Sequence, residues 1–315
     1  MAYPLATSFA TGGRPLPPRC RPAETPAPLR SPVYDTLLDD YEKGLSAARL
    51  DTAFAQLKAG LVPLLAEVRA RGTPPDAAWL AGDFDPEAQA TLCNELAVAL
   101  GFDLGAGRLD VSVHPFTGGS HPTDVRMTTR FKRGDVTEGI TGAIHETGHA
   151  LYEQGRNADH DGLPVSAAHS MGIHESQSLL WERMVGLSAP FAAYLLPKLA
   201  AAFPALPAGD KTGADLYAAI NKVKTPSLIR VESDELTYGL HVILRYELER
   251  ALVEGGAAVA DLPRLWNQVR CVGWLAVWRG CGGRAARGWC VCALGRSAPL
   301  PRWCRAGAAA PAALG

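Results

Sequence analysis

The chain has 315 residues, 47% of them hydrophobic and 20% charged, which suits one or two globular cores and excludes disorder throughout. Its formal net charge of −1 conceals two unlike parts: residues 1–268 hold 24 basic and all 32 acidic residues, whereas 269–315 hold seven Arg and no acid. This balance excludes a uniformly basic nucleic-acid binder, and no run of about 18 apolar residues offers a membrane span.

The N-terminus lacks the ordered basic start, apolar stretch and small-residue cleavage site of a signal peptide, so a cytoplasmic location is expected. Only Cys20 and Cys93 precede residue 269, too few for a secreted disulfide scaffold. Residues 1–32 read as an irregular, aberrant or disordered segment, with seven Pro in the first 30 positions.

Order begins further on. Ser46 can cap a helix in which Leu50, Phe54, Leu57, Leu61, Leu64 and Val68 recur as a core-facing stripe. Arg71 to Pro75 ends it, and a second helix is expected from Pro86 to Leu100, with Leu92, Leu96 and Leu100 on one face and Cys93 in the packing. The period then changes to two. Leu109, Val111 and Val113 alternate before His114-Pro115-Phe116, and Val125, Met127 and Thr129 alternate after a Gly118-Gly119 connection, predicting two short strands. Gly118-Gly119 is too weak a signal for a phosphate loop.

Helices are expected at about Thr137–Gln154, Ser166–Met184 and Ala214–Lys222, with Pro190 and the Pro197–Pro207 region interrupting order. A long late helix is expected from Leu228 to Val253, burying Leu236, Leu240, Ile243, Leu244 and Leu248. The fold class is therefore mainly α, with a short β-hairpin or small sheet beside the helix that starts near Thr137. Residues 269–315 contain five Cys and four of the seven Trp but no Lys, Asp, Glu or His. Cys281, Cys290, Cys292 and Cys304 lack zinc-ribbon spacing, and the tail lacks the dense basic run of a nucleic-acid arm. Its composition reads as an aberrant, disordered tail from out-of-frame translation of a GC-rich coding region.

The sharpest signal is His145-Glu146-Thr147-Gly148-His149. Spacing of four puts both imidazoles on one helix face, where they can meet one ion, and Glu146 beside that face can take a proton from water. The plainer reading is a polar helix face. A catalytic site needs a third protein ligand, and Glu175 is the best carboxylate candidate, since it sits in a polar island among Met171, Ile173 and Leu179-Leu180-Trp181. His169 and His174 compete with it. Asp124 and Arg126 alternate on one side of a strand, as an ion pair or as an arginine fork for an anion. Arg230, Glu232, Asp234 and Glu235 open the late helix, where they can orient ligands, cap the helix or meet water.

Five ordered motifs now stand together: His114-Pro115-Phe116, Asp124-Val125-Arg126-Met127-Thr128, His145-Glu146-Thr147-Gly148-His149, His174-Glu175-Ser176-Gln177 and Ile229-Arg230-Val231-Glu232-Ser233-Asp234. On these the chain resembles the Taq-type metallocarboxypeptidases of peptidase family M32, from about Val33 to Gln268. The resemblance implies a partial catalytic domain over residues 33–268 with a zincin-like helical body, a deep groove and a small sheet. It implies release of single residues from peptide C-termini with broad specificity, with zinc as cofactor and cobalt or manganese as substitutes. His145, His149 and Glu175 match the metal ligands and Glu146 the general base. Arg126 and Arg230 match motif arginines suited to a substrate carboxylate, and His114 is implied as a support of the site. The implied partners are peptides with a free C-terminus and a second copy of the chain, with no nucleic acid and no membrane. The family's helical N-terminal portion and late Gly-x-x-Gln-Asp-x-His-Trp motif have no counterpart here. A catalytically impaired metal-binding fragment, or a metal-stabilised interaction module, is therefore the alternative expectation.

Overall fold

The computed structural model describes residues 33–224 and 229–267, so the readings of 1–32 and 269–315 lie outside the described residues. The elements run α1 (Val33–Asp39), α2 (Ala47–Arg71), α3 (Pro86–Ala99), β1 (Gly107–Val111), β2 (Phe116–His121), β3 (Asp124–Thr129), α4 (Val136–Gln154), α5 (Met171–Leu179), a π-helical segment (Leu180–Gly186), α6 (Ala189–Ala202), α7 (Gly213–Ile220) and α8 (Glu235–Val253). The fold is mainly helical with one small sheet. Among the described residues, no single helix is long and apolar enough to cross a membrane.

The main core forms where α4 meets α3, α6 and α7. Leu92, Cys93 and Leu96 of α3 pack with Ile140, Ala143 and Ile144 of α4 and with Ala192, Leu195 and Leu199 of α6. Each large aliphatic side chain buried there contributes about 1.5–3 kcal/mol. Gln89 is fully buried within this apolar layer, where its Nε2 donates to the carbonyls of Phe84 and Lys132 at 3.0 Å each. It thereby ties the start of α3 to the chain entering α4.

The expected pair of strands is a three-stranded sheet in the order β1-β3-β2. β1 runs parallel to β3, with Leu109 opposite Met127, and β2 runs antiparallel to it, with Thr117 opposite Met127. The Gly118-Gly119 connection is itself strand β2. Val125 and Met127 are fully buried with Phe102, Ala97 and Ala150, so one sheet face seats α4 while Arg126 points to the other.

Four helix readings change. The Ser166–Met184 helix starts at α5, capped by Ser170, and passes into the π-helical segment. Pro190 and Pro197 do not interrupt order: Pro190 occupies the first turn of α6, where no N–H partner is needed, and Pro197 rides inside it while Leu195, Leu196 and Leu199 bury the helix. The Leu228–Val253 helix begins at Glu235, because Asp234 accepts from the backbone N–H of Leu236 and Thr237 and caps it. The α2 stripe is only partly inward: Leu65 is buried against Leu240 and Ile243, whereas Leu57 and Leu64 are exposed.

Candidate metal centre

α4 is nucleated by Asp135, whose carboxylate accepts from the backbone N–H of Thr137 and Glu138, and it presents His145 and His149 one turn apart. α5 crosses α4 at Gly148 and brings Glu175 to the same place. The Nε2 of His149 lies 3.2 Å from Glu175 Oε2 and the Nε2 of His145 lies 3.8 Å from Glu175 Oε1. One ligand atom from each of the three residues falls within 4.8 Å of the others. Burial raises the Glu175 carboxyl's pKa, but the hydrogen bond from His149 and the charges of His145 and His149 outweigh it and bring it down to about 2. For His145, burial acts against the charged ring, and the bond to Glu182 together with the charges of Glu182, Glu175 and Glu146 outweighs it, raising its pKa.

The remaining ring nitrogens are all engaged. His145 Nδ1 meets Glu182 Oε2 at 2.7 Å, delivered by the π-helical segment, and His149 Nδ1 meets His174 Nδ1 at 2.6 Å. With both Nδ1 positions held by outer partners, both Nε2 atoms face the Glu175 carboxylate. Two imidazoles and one carboxylate with their donor atoms convergent and their outer nitrogens satisfied fit a zinc ion with one coordination position left open.

Glu146 is buried immediately beside the cluster. Its Oε2 accepts from Thr117 Oγ1 at 2.6 Å, and the same hydroxyl lies 3.1 Å from the Glu146 carbonyl. Thr117 belongs to β2, so the sheet edge fixes the carboxylate while leaving its second oxygen uncommitted in these contacts.

The other expected residues fall into separate groups. His174 joins the cluster through His149 and, on its other side, meets Glu153 at 2.7 Å. His114 and Arg230 line one cavity of about 480 Å³ with Arg245 and Glu249. Asp124 and Arg126 pair with each other, Nε to Oδ1 at 2.9 Å and Nη2 to Oδ2 at 3.1 Å, on the exposed sheet face away from α4. Asp234 caps α8, and Glu232 reaches Lys132 at 3.4 Å. His169 is outside the cluster, with its backbone N–H donated to the Tyr152 hydroxyl.

Sequence reasoning missed Thr117, Glu153, Glu182 and Tyr238. Tyr238 receives a bond from Arg230 Nη1 at 3.2 Å and carries the Arg183 guanidinium 4.9 Å over its ring. Burial raises the phenol's pKa, with the Glu175 and Glu182 charges adding to it against the neighbouring arginines. Arg183 Nε in turn lies 3.0 Å from Glu182 Oε1, so the stack links Arg230 to the carboxylate behind His145. A tyrosine three residues after a helix start gives no signal by itself, whereas Glu153 and Glu182 could have been sought as acidic residues at helical spacing from the expected ligands.

A mainly helical body, a three-stranded sheet against the His-Glu-x-x-His helix and a convergent His-His-Glu set define a zincin-like metallopeptidase architecture. The chain belongs to the Carboxypeptidase Taq (M32) metallopeptidase family, whose model matches residues 22–271, further at both ends than the motifs alone suggested. It is 46% identical over 246 residues to thermostable carboxypeptidase 1 of Thermus thermophilus, covering 77% of this chain and 48% of that protein. It is 44% identical over 235 residues to carboxypeptidase 1 of Bacillus subtilis, covering 75% of this chain and 46% of that protein. The crystal structure of the M32 carboxypeptidase from Deinococcus radiodurans superposes with a TM-score of 0.72 at 40% identity, over 76% of this chain and 48% of that one. The chain therefore spans about half the length of the relatives it matches.

Proposed function

We propose that this chain carries a partial catalytic domain, over residues 33–268, of a zinc-dependent metallocarboxypeptidase that releases single C-terminal amino acids with broad specificity. The observation that carries the reading is the convergence of His145, His149 and Glu175 within 4.8 Å, beside a buried Glu146. Zinc held by those three residues would supply Lewis-acid polarisation of the scissile carbonyl and activation of water, with cobalt or manganese as substitutes. Glu146, held at Oε2 by Thr117, takes the proton from the attacking water and passes it to the leaving amine. Arg230, in the cavity it shares with His114, offers a guanidinium for the terminal carboxylate; Arg126 serves the same role only if it leaves Asp124. The substrates are peptides with a free C-terminus, and the setting is cytoplasmic, with a second copy of the chain as partner and neither nucleic acid nor membrane.

A second reading is a catalytically impaired metal-binding fragment, since the His145, His149 and Glu175 set can hold an ion without turnover. One experiment separates the two. Peptides with free and with amidated C-termini are incubated with zinc-loaded and chelator-treated protein, and with Glu146→Gln. The carboxypeptidase reading expects release of single residues from free termini only, abolished by chelation and reduced about 10²- to 10⁴-fold in the variant with zinc retained. Zinc binding without turnover establishes the impaired fragment. Function unaffected by Glu146→Gln leaves a metal-stabilised interaction module.

A further inference from the structure

The two metal-facing histidines are supported differently. His145 Nδ1 meets a carboxylate directly, that of Glu182, at 2.7 Å. His149 Nδ1 meets the Nδ1 of His174 at 2.6 Å, and His174 passes the connection through Nε2 to Glu153 Oε1 at 2.7 Å. The other oxygen of Glu153 is held by Arg156 Nη1 at 2.5 Å. The His174 ring lies between those of His149 and Tyr152, with both centroid separations 4.7 Å. The Glu153, His174 and Arg156 side chains are 10%, 14% and 16% exposed, so water is a poor substitute for any partner in the row.

With a metal at His149 Nε2, the proton positions along the row follow from these contacts. Two Nδ1 atoms 2.6 Å apart share one proton. An imidazole that offers its Nε2 lone pair to a metal carries its proton on Nδ1. With His149 in that form, His174 Nδ1 accepts, His174 carries its own proton on Nε2, and Glu153 accepts in turn. Arg156 holds the opposite oxygen of Glu153 as an acceptor as well. Gly119 of β2 leaves room for this group: a Cβ there would stand 3.2 Å from Glu153 Oε2.

We propose that Glu153, acting through His174, is a positioning residue that fixes His149 in its metal-binding tautomer, with Arg156 orienting Glu153. The proposal rests on the metal-centre reading above and extends it to residues that reach the ligand His149 only through His174. Glu153→Gln makes the test sharp, because Arg156 claims the new carbonyl oxygen and turns the amide NH₂ toward His174 Nε2. Every hydrogen bond in the row then reverses, leaving His149 with its proton on Nε2.

The full chain is stripped of metal and titrated with zinc against a chromogenic chelator, while long-range ¹H–¹⁵N correlation spectra read the histidine tautomers. Wild type is expected to bind one zinc with the His149 proton on Nδ1. Glu153→Gln is expected to bind about 10- to 100-fold more weakly with unchanged far-UV circular dichroism. Adding Arg156→Leu to Glu153→Gln frees the amide to turn and restores most of the affinity, which loss of packing alone would not do. Should Glu153→Gln not fold, His174→Phe keeps a flat ring but cannot accept the His149 proton, and the same weakening is expected. Wild-type affinity and tautomer in folded Glu153→Gln or His174→Phe overturn this proposal alone. Failure of the wild-type chain to bind zinc overturns it together with the metal-centre reading.

Discussion

Gly148 and Ser178 stand where α4 and α5 cross, so close that a Cβ on Gly148 would lie 2.6 Å from Ser178 Cα and 2.7 Å from the Gln177 carbonyl oxygen. Backbone cannot yield as a flexible side chain does, so the middle of the His-Glu-x-x-His motif is glycine for reasons of approach. The same close crossing carries Glu175 to His149.

Gly148→Ala is therefore expected to push the two helices apart. Overpacking of this kind costs about 1–3 kcal/mol, readable from urea unfolding. Because Glu175 rides on the displaced helix, zinc affinity should fall as well. A variant with both stability and affinity unchanged would show that the crossing does not set the site.

Thr117→Val keeps the β-branched shape suited to a strand and removes the hydroxyl that donates to Glu146. The buried carboxylate oxygen then loses its donor, at a cost of about 1–3 kcal/mol. Turnover should fall while zinc affinity stays, because the metal-facing residues are untouched. Steady-state kinetics and a zinc titration on one preparation read both.

Alkaline pH should weaken the contact of α8 with α1 and α2. Burial and the bond to Asp51 push the Tyr246 phenol up to about 12, and burial and Glu249 push Tyr34 up too. Between the ordinary phenol value of about 10 and the raised one, the folded state keeps a proton that the unfolded chain releases. Stability contributed by these phenols is complete below pH ~10 and declines as pH rises toward 12. Urea midpoints measured from pH 9 to 11.5 should fall, and Tyr246→Phe should fall less steeply.

Cys93 is fully buried in the main core, and burial pushes its thiol up to about 12. Thiolate is the reactive form, so native protein at pH 8 should leave Cys93 unalkylated by iodoacetamide and denaturant should expose it. Mass spectrometry of its peptide distinguishes the outcomes; ready native labelling would contradict the packing described.

The readable parts of the fold were those with strong local grammar. Ser46 stands before a helix whose apolar spacing is clear, and the Leu240, Ile243, Leu244 and Leu248 face of α8 is buried as its period implies. Pro190 and Pro197 misled because proline signals a local penalty, whereas α6 is held by the burial of Phe191, Leu195 and Leu199. β2 was hidden because Gly118 and Gly119 read as a connection, although pairing with β3 makes them strand. His145, His149 and Glu175 could be paired on paper by helical spacing and chemistry. Glu153 and Glu182 stood only as acids at helical spacing from those ligands, and Thr117 gave no signal, since their roles depend on which element lies behind each imidazole or carboxylate.

The π-helical segment makes chain length itself a constraint on one side of the metal centre. Glu175 and Glu182 approach opposite nitrogens of the same His145 ring, one from α5 and one from the widened turns that follow. Deleting one residue within 180–186 would restore ordinary α-helical winding and swing Glu182 by roughly 100° around the axis, off the ring. A residue added or removed between α4 and α5, in 155–170, moves both carboxylates as one body and can be taken up by the connecting turns. Among variants of this sequence, length differences should therefore gather in 155–170 and be excluded from 180–186.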